Sequence, residues 1–596
     1  MANGTTHDLV IRGATLVDGT GAPACVADVA VDGGTIVDVR RRGAAGLPGV
    51  ERVEPGAAPR DEGPAGRGRR EIDAQGLLLT PGFVDIHTHY DGQATWDAQL
   101  APSSVHGVTT ALFGNCGVGF APLRSADIDL LINIMEGVED IPGSVLAEGI
   151  PFGWESFPEY MDSLDALPHA IDIGAQVPHA ALRCYVMGQR GGDHAERPSA
   201  AECDTMGRLL EEALRAGALG LSTSRTVKHR ARDGRPTPSL SADESELGAL
   251  ARAMRRAGRG VLEVNSDFGD GDFEVLAAVA REAGRPLSLL LIQVDRAPAL
   301  WRETLDAIHA ARASGLSVNG QVGARAIGVL LGFEATLNPF ATHPSWRSAL
   351  AALPHAERVA RLRADAALRG RLVAEGPTDA KGRWVTAMLE RAFEMGAVPD
   401  YEPSPEASIA ARARAEGRPV QALALDALLA DDGRGLLLHP FENYTHGDFE
   451  VVRTMLEDDA TVMGVGDGGA HVGTICDGSG PTFLLTHWAR DRRRGARIPI
   501  ERLVRKQTLD SALAYGLADR GAVRPGLRAD LNLIDLAGLT LHRPRIEHDL
   551  PAGGRRFLQS ANGYRHTFVA GVETLRDDRP TGATPGRLVR GVGAAR

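Results

Sequence analysis

The chain reads as an α/β protein, with a (β/α)8 TIM-like barrel over 76–520 and a small discontinuous β-sandwich domain made from 1–75 and 521–596. Three observations predict this. About eight short apolar runs recur with helical stretches between them, the pattern of parallel strands and crossover helices. Both chain ends carry short strand-like runs separated by Gly and Asp turns, so one small domain can draw on both. The 596 residues exceed a single minimal core and suit a barrel plus one smaller unit.

Taken in order, 9–11, 14–17, 29–31 and 35–37 read as strands punctuated by Asp18-Gly19 and Asp32-Gly33-Gly34. Over 40–70 the composition turns to Arg, Gly, Pro, Ala and Glu without apolar periodicity, and a mobile insertion is expected there. The barrel then opens at Thr80-Pro81-Gly82-Phe83-Val84-Asp85-Ile86-His87-Thr88-His89-Tyr90-Asp91. Further strands are expected at 108–113, 171–177, 220–223, 261–264, 287–294, 316–322 and 462–465. The stretch from about 340 to 430 is rich in Ala, Leu, Arg and Glu and too long for a plain crossover, so it reads as a helical insertion near the barrel mouth. Strands at 531–534 and 567–569 complete the small domain, and a polar tail follows from about 576.

Composition narrows the function. The formal net charge is -12 and the hydrophobic fraction 43%, with no basic stripe, so neither nucleic acid nor an anionic membrane is an expected partner. Residues 1–8 lack a charged n-region and an apolar h-region, and no run is long and apolar enough to span a bilayer, so a cytoplasmic protein is expected. The five cysteines are odd in number and scattered without a C-x-x-C pair, which argues against a disulfide framework.

The chemistry lies in the opening motif. Side chains alternate along a strand, so His87 and His89 share a face while Thr88 points away. Two imidazoles at a strand's C-terminal end suit a metal site with an open position. Asp467, in Gly466-Asp467-Gly468-Gly469-Ala470-His471, follows the last barrel strand, where a carboxylate can ligate the metal and move a proton. His471, four residues on, is a candidate for polarising a substrate carbonyl.

With Gly114-Asn115-Cys116-Gly117, Gly217-Ala218-Leu219-Gly220-Leu221-Ser222-Thr223, Asp467-Gly468-Gly469-Ala470-His471 and Pro525-Gly526-Leu527-Arg528-Ala529-Asp530 added, the chain resembles the amidohydrolase superfamily, and within it the D-aminoacylase (N-acyl-D-amino-acid deacylase) group. The resemblance runs along nearly the whole chain except 40–70. It implies a metal-dependent hydrolase of amide bonds, with zinc the expected ion and another divalent metal the alternative, in which metal-bound hydroxide attacks the carbonyl and Asp467 shuttles the proton. It also implies that Cys116 is a metal ligand. The group places a histidine after strand five and another after strand six, and here neither is present: Glu263, Asn265 and Gln293 stand in that region. Of the other histidines between 223 and 323, His229 falls in a basic loop and His309 within a helix. One metal ion is therefore expected, held by His87, His89 and Asp467 with Cys116 as candidate fourth ligand. Glu263 and Asn265 are candidates for oxygen ligands or substrate contacts, or for a structural role.

The loop after strand four, 224–232, gathers positive charge in an acidic protein. Arg225 there, and Arg325 after strand seven, are candidates to hold a substrate carboxylate. The expected partner is a small-molecule amide such as an N-acyl amino acid, with a homo-oligomer as the candidate assembly. Two alternatives stand beside this reading: a hydrolase of a cyclic amide, urea or carbamate, and a catalytically degenerate binding protein that keeps only the fold.

Overall fold

The computed structural model describes residues 6–54, 60–269 and 271–591. A parallel series starts directly after the Pro-Gly break. Its strands are β1 (Phe83–Asp85), β2 (Val108–Phe113), β3 (Asp172–Ala175, resumed at Val177–Pro178), β4 (Gly220–Arg225), β5 (Val261–Ser266), β6 (Leu287–Leu290), β7 (Val318–Val322) and β8 (Thr461–Met463). Each pairs in parallel with the next. The strands are buried along nearly their whole length, as parallel strands covered on both faces must be. The series also returns to its start. Thr88 and Gly468 form a parallel bridge, the Asp467 amide donates to the His87 carbonyl at 3.0 Å, and the His89 amide donates to the Gly468 carbonyl at 2.8 Å.

Helices α1 (Ile128–Glu139), α2 (Ala200–Ala216), α3 (Glu244–Ala257), α4 (Asp272–Ala283) and α5 (Leu300–Ala313) lie between these strands. Local chemistry sets their ends. The start of α2 carries a capping box between Ser199 and Glu202, and Gly217 stops it with φ 115°. At α3 the Asp243 side chain accepts from the amides of Ser245 and Glu246. Where the sequence suggests a helical insertion, six α-helices and two short 3-10 helices lie between Pro344 and Gly433. Its stem is an antiparallel pair, Ile327–Leu331 with Leu437–Glu442, and its apolar residues, among them Phe340, Trp346, Leu368 and Leu428, form a cluster of their own.

The two chain ends meet in one nine-stranded sheet. Leu78–Pro81 lies between Thr6–Leu16, which it pairs in parallel, and Leu531–Ile534, which it pairs antiparallel. Ile11, Val29, Leu79, Leu531, Leu533 and Phe568 share its apolar cluster. Gly82 hands the chain from this sheet to β1: its amide donates to the Asp530 carbonyl at 2.7 Å, and a Cβ there would lie 2.1 Å from Thr109 Oγ1.

Several boundaries differ from the sequence reading. Thr35–Ala44 and Arg67–Asp73 are strands that enter the expected 40–70 insertion from both sides, because pairing with neighbours in the sheet overrides their polar composition. Residues 55–59 of that stretch lie outside the described residues. β6 stops at Leu290, and the Gln293 amide instead donates to Asn443 Oδ1 at 2.8 Å. The polar tail also docks: Leu588 bridges Ile173 and is buried, and the Arg587 amide donates to Asp172 Oδ1 at 2.9 Å. Among the described residues no helix is long and apolar enough to cross a membrane.

Candidate metal centre

The closure between β1 and β8 places the site. Because the Asp467 amide is bonded to the His87 carbonyl, its side chain lies beside the His-x-His pair: Asp467 Oδ1 is 3.6 Å from His87 Nε2 and 3.7 Å from His89 Nε2. Cys116 Sγ, from the loop after β2, is 3.5 Å from His87 Nε2. Donor atoms of His87, His89 and Cys116 all lie within 4.8 Å of one another, and all three residues are buried. Zinc bond lengths of about 2.0–2.3 Å in a tetrahedron require ligand-to-ligand edges of roughly 3.3–3.8 Å; the Cys116–His87, His87–Asp467 and His89–Asp467 separations fall in that range, while the mutually close set is His87, His89 and Cys116.

The ring orientations agree. His87 Nδ1 is engaged with Gln321 Oε1 at 2.8 Å, which directs Nε2 to the centre. Gly114 at φ 81° and Asn115 turn the loop after β2 inward; Asn115 Nδ2 donates to the carbonyls of Thr88 and Leu112, both at 3.0 Å. Cys116, Asp467 and His471 all have left-handed backbones, with φ of 54°, 48° and 50°. For non-glycine residues each such conformation costs of order 1–3 kcal/mol and persists where the surroundings over-determine it.

Electrostatics set the resting charges. Burial pushes the Cys116 thiol up to about 12, so without a cation it is protonated. Burial lowers His87 to about 4. Burial would also lower His89, but Glu139, Asp467 and Cys116 carry it well above its ordinary value. Desolvation would raise Asp467, yet bonding with His89 and the charges of His87 and His471 hold its carboxyl well below the usual range.

The remaining sequence candidates divide. Glu263 reaches the centre: its Oε2 accepts the Cys116 amide at 3.1 Å, and burial lifts it to about 8. Asn265 Nδ2 is 3.7 Å from Cys116 Sγ. His471 faces the centre from the loop after β8, with Nε2 3.6 Å from Glu139 Oε2. Arg225 is committed elsewhere, to Asp272 at 2.8 Å and the Ala242 carbonyl at 2.7 Å. Arg325 is buried, bonds the Cys476 carbonyl at 2.7 Å and stacks 3.7 Å over the Tyr401 ring.

Two site residues escape the sequence reading. His229, assigned there to a basic loop, turns inward: Nδ1 pairs with Ser224 Oγ at 2.9 Å and Nε2 lies 3.3 Å from the Asn265 amide. Glu139 ends α1, 3.3 Å from His89 Nδ1. A signal for Glu139 exists: it stands one turn after Met135 and two after Leu131 on the buried face, at a helix C-terminus that disfavours anions.

The amidohydrolase family model matches residues 70–575. The chain belongs to the amidohydrolase family. This amidohydrolase is 35% identical to the N-acyl-D-aspartate deacylase of Alcaligenes xylosoxydans xylosoxydans over 216 residues, 36% of the chain and 36% of the relative. It is 33% identical to the D-aminoacylase of the same organism, over 36% of the chain and 37% of that relative. The matched stretches therefore span little more than a third of these relatives' length. The solved N-acyl-D-glutamate deacylase of Bordetella bronchiseptica, complexed with zinc and a phosphonate inhibitor, superposes with a TM-score of 0.61 at 22% identity, covering 98% of this chain and all of the other. The likeness in fold is thus end to end.

Proposed function

We propose that this amidohydrolase is a metal-dependent hydrolase of the amide bond in a small N-acyl amino acid, with one zinc ion held by His87, His89 and Asp467 and Cys116 as candidate fourth ligand in a site that opens one position to water or substrate. The observation that carries it is that donor atoms of His87, His89 and Cys116 lie within 4.8 Å of one another with Asp467 Oδ1 3.6 and 3.7 Å from the two Nε2 atoms, on the fold of an N-acyl-D-glutamate deacylase. Zinc, when bound, supplies Lewis acidity toward a carbonyl and toward water. The chain supplies the rest. Asp467, held as a carboxylate, accepts a proton and returns it to the leaving nitrogen. His471 stands where a substrate carbonyl oxygen can meet its ring. Arg225 and Arg325 are tied by ion pairs, so neither is assigned to a substrate carboxylate. The returning parallel series supports reading 76–520 as a (β/α)8 barrel, with the sheet from both ends as its small β-sandwich domain.

Turnover of N-acyl-D- and N-acyl-L-amino acids by the zinc-loaded chain, set against cyclic amides, ureas and carbamates, tests the substrate class. Hydrolysis of an N-acyl amino acid is expected. Activity confined to the cyclic amides, ureas or carbamates would reassign the substrate, and a chain that binds no metal would end the hydrolase reading. Separately, His87→Ala and His89→Ala should each lose both bound zinc and turnover, measured by metal analysis alongside rate.

A further inference from the structure

Glu139 has no hydrogen-bond partner at either carboxylate oxygen, although its side chain is only 1% exposed. A carboxylate held that way is costly unless a donor faces it. Two imidazoles do. Oε1 lies 3.3 Å from His89 Nδ1, a nitrogen that is itself buried without a hydrogen bond, and Oε2 lies 3.6 Å from His471 Nε2. The backbone repeats the connection: the His471 amide donates to the Glu139 carbonyl, and the Gly473 amide donates to Asp140 Oδ2 at 3.2 Å. The end of α1 is therefore joined to the loop after β8 by main chain and side chain together.

We infer that Glu139 is a positioning residue whose single carboxylate holds two histidines, the metal ligand His89 by Nδ1 and the substrate-facing His471 by Nε2. The inference rests on the metal centre proposed above. A carboxylate on the outer nitrogen of a ligating imidazole fixes its tautomer and its orientation and raises its basicity. With the proton kept on Nδ1, His89 presents Nε2 to the centre, where Asp467 already lies 3.7 Å away. The second oxygen, 3.6 Å from His471 Nε2, attracts that ring electrostatically, so the side chain over the substrate space is registered against the ligand below it. This also accounts for the left-handed backbones at Asp467 and His471: the loop between them is anchored at its far end to α1, which helps over-determine both.

The test is zinc affinity, by competition with a chromophoric chelator, on the full chain stripped of metal. Glu139→Gln keeps the size of the side chain but not its charge, and loss of an outer-shell carboxylate weakens metal binding about 10–100-fold. That loss is expected with unchanged far-ultraviolet circular dichroism. Glu139→Asp, which keeps the charge and shortens the reach, should fall between Glu139→Gln and wild type. His471→Ala should bind zinc as wild type does, because the carboxylate still holds His89. Wild-type affinity in Glu139→Gln would overturn the inference, as would wild-type affinity in Glu139→Asp should Glu139→Gln not fold. An equal loss in His471→Ala would overturn it too, since His471 would then itself be a ligand. Wild type taking up no zinc would instead remove the centre, and this inference with it.

Discussion

Asp467 carries two burdens at one position, a carboxylate proposed above to move the proton and a backbone with φ 48°. Asn tolerates the left-handed region better than most residues, so Asp467→Asn removes the charge with little added strain. Loss of a general acid–base group lowers turnover by about 10²–10⁴-fold, and that is the expected fall in kcat at saturating substrate; activity within tenfold of wild type would remove Asp467 from the proton path. His87, His89, Cys116 and Asp467 are legible in the sequence because each stands in a short local pattern: a strand's alternation, a glycine-flanked cysteine, a carboxylate after an apolar run. Glu139 and His229 are less so, because each reaches the centre from outside the strand ends. Glu139 stands at the end of a helix, and His229 becomes visible only once the loop after β4 folds back onto Ser224. What Arg225 and Arg325 pair with is not legible for the complementary reason: their ion-pair partners, Asp272 and Asp477, lie 47 and 152 residues away in sequence.

Among the elements, the helical insertion is tied to the rest of the molecule through Glu402, just beyond its strand at Phe393–Glu394. Glu402 accepts from Arg492 at 2.9 and 3.0 Å and pairs with His487 at 3.0 Å, while Arg492 also reaches Glu450. Removing one member of a buried ion pair leaves its partner's charge uncompensated, at a cost of about 3–5 kcal/mol; Arg492→Ala should show that loss in urea unfolding. The pH dependence has a definite sign. Burial alone would raise Glu402, but the bonds from His487 and Arg492 hold it near 2, below the ordinary value of about 4.3. Its contribution is therefore present above about pH 4 and lost as pH falls toward 2. The difference in Tm between wild type and Glu402→Gln should narrow over that interval, and a constant difference would show that the carboxylate is not charged. The insertion's existence is legible from its helix-forming composition. Its stem is not, because Ile327–Leu331 and Leu437–Glu442 are separated by more than a hundred residues.

For the whole molecule, the join between the terminal sheet and the parallel strands centres on Asp172. Arg520 donates to its Oδ2 at 2.7 Å and Arg528 to its Oδ1 at 2.8 Å, and the tail adds the Arg587 amide with Leu588 packed alongside. Ending the chain at residue 583 removes that last layer. Burying a leucine side chain is worth roughly 1.5–3 kcal/mol, so the shortened chain should unfold at lower urea by about that free energy. No change would mean the tail merely rests on the surface. The parallel series and the pairing of both ends are legible from apolar runs and turns, which are local. Where the tail docks is not, since composition marks 576–591 only as polar.

Gly82 and the strand before it set a timetable as well as a shape. Leu78–Pro81 has Thr6–Leu16 on one side, but its other side is filled by Leu531–Ile534, made some 450 residues later. At ribosomal rates of about 5–20 residues per second, that edge waits roughly 20–90 s for its partner. Through that time Leu79 faces a half-built sheet, and an exposed strand edge invites pairing with other chains. The newborn protein thus carries an open strand edge immediately before the motif that holds His87 and His89, and its yield in a cell should depend on what shelters that edge until Leu531–Ile534 arrives.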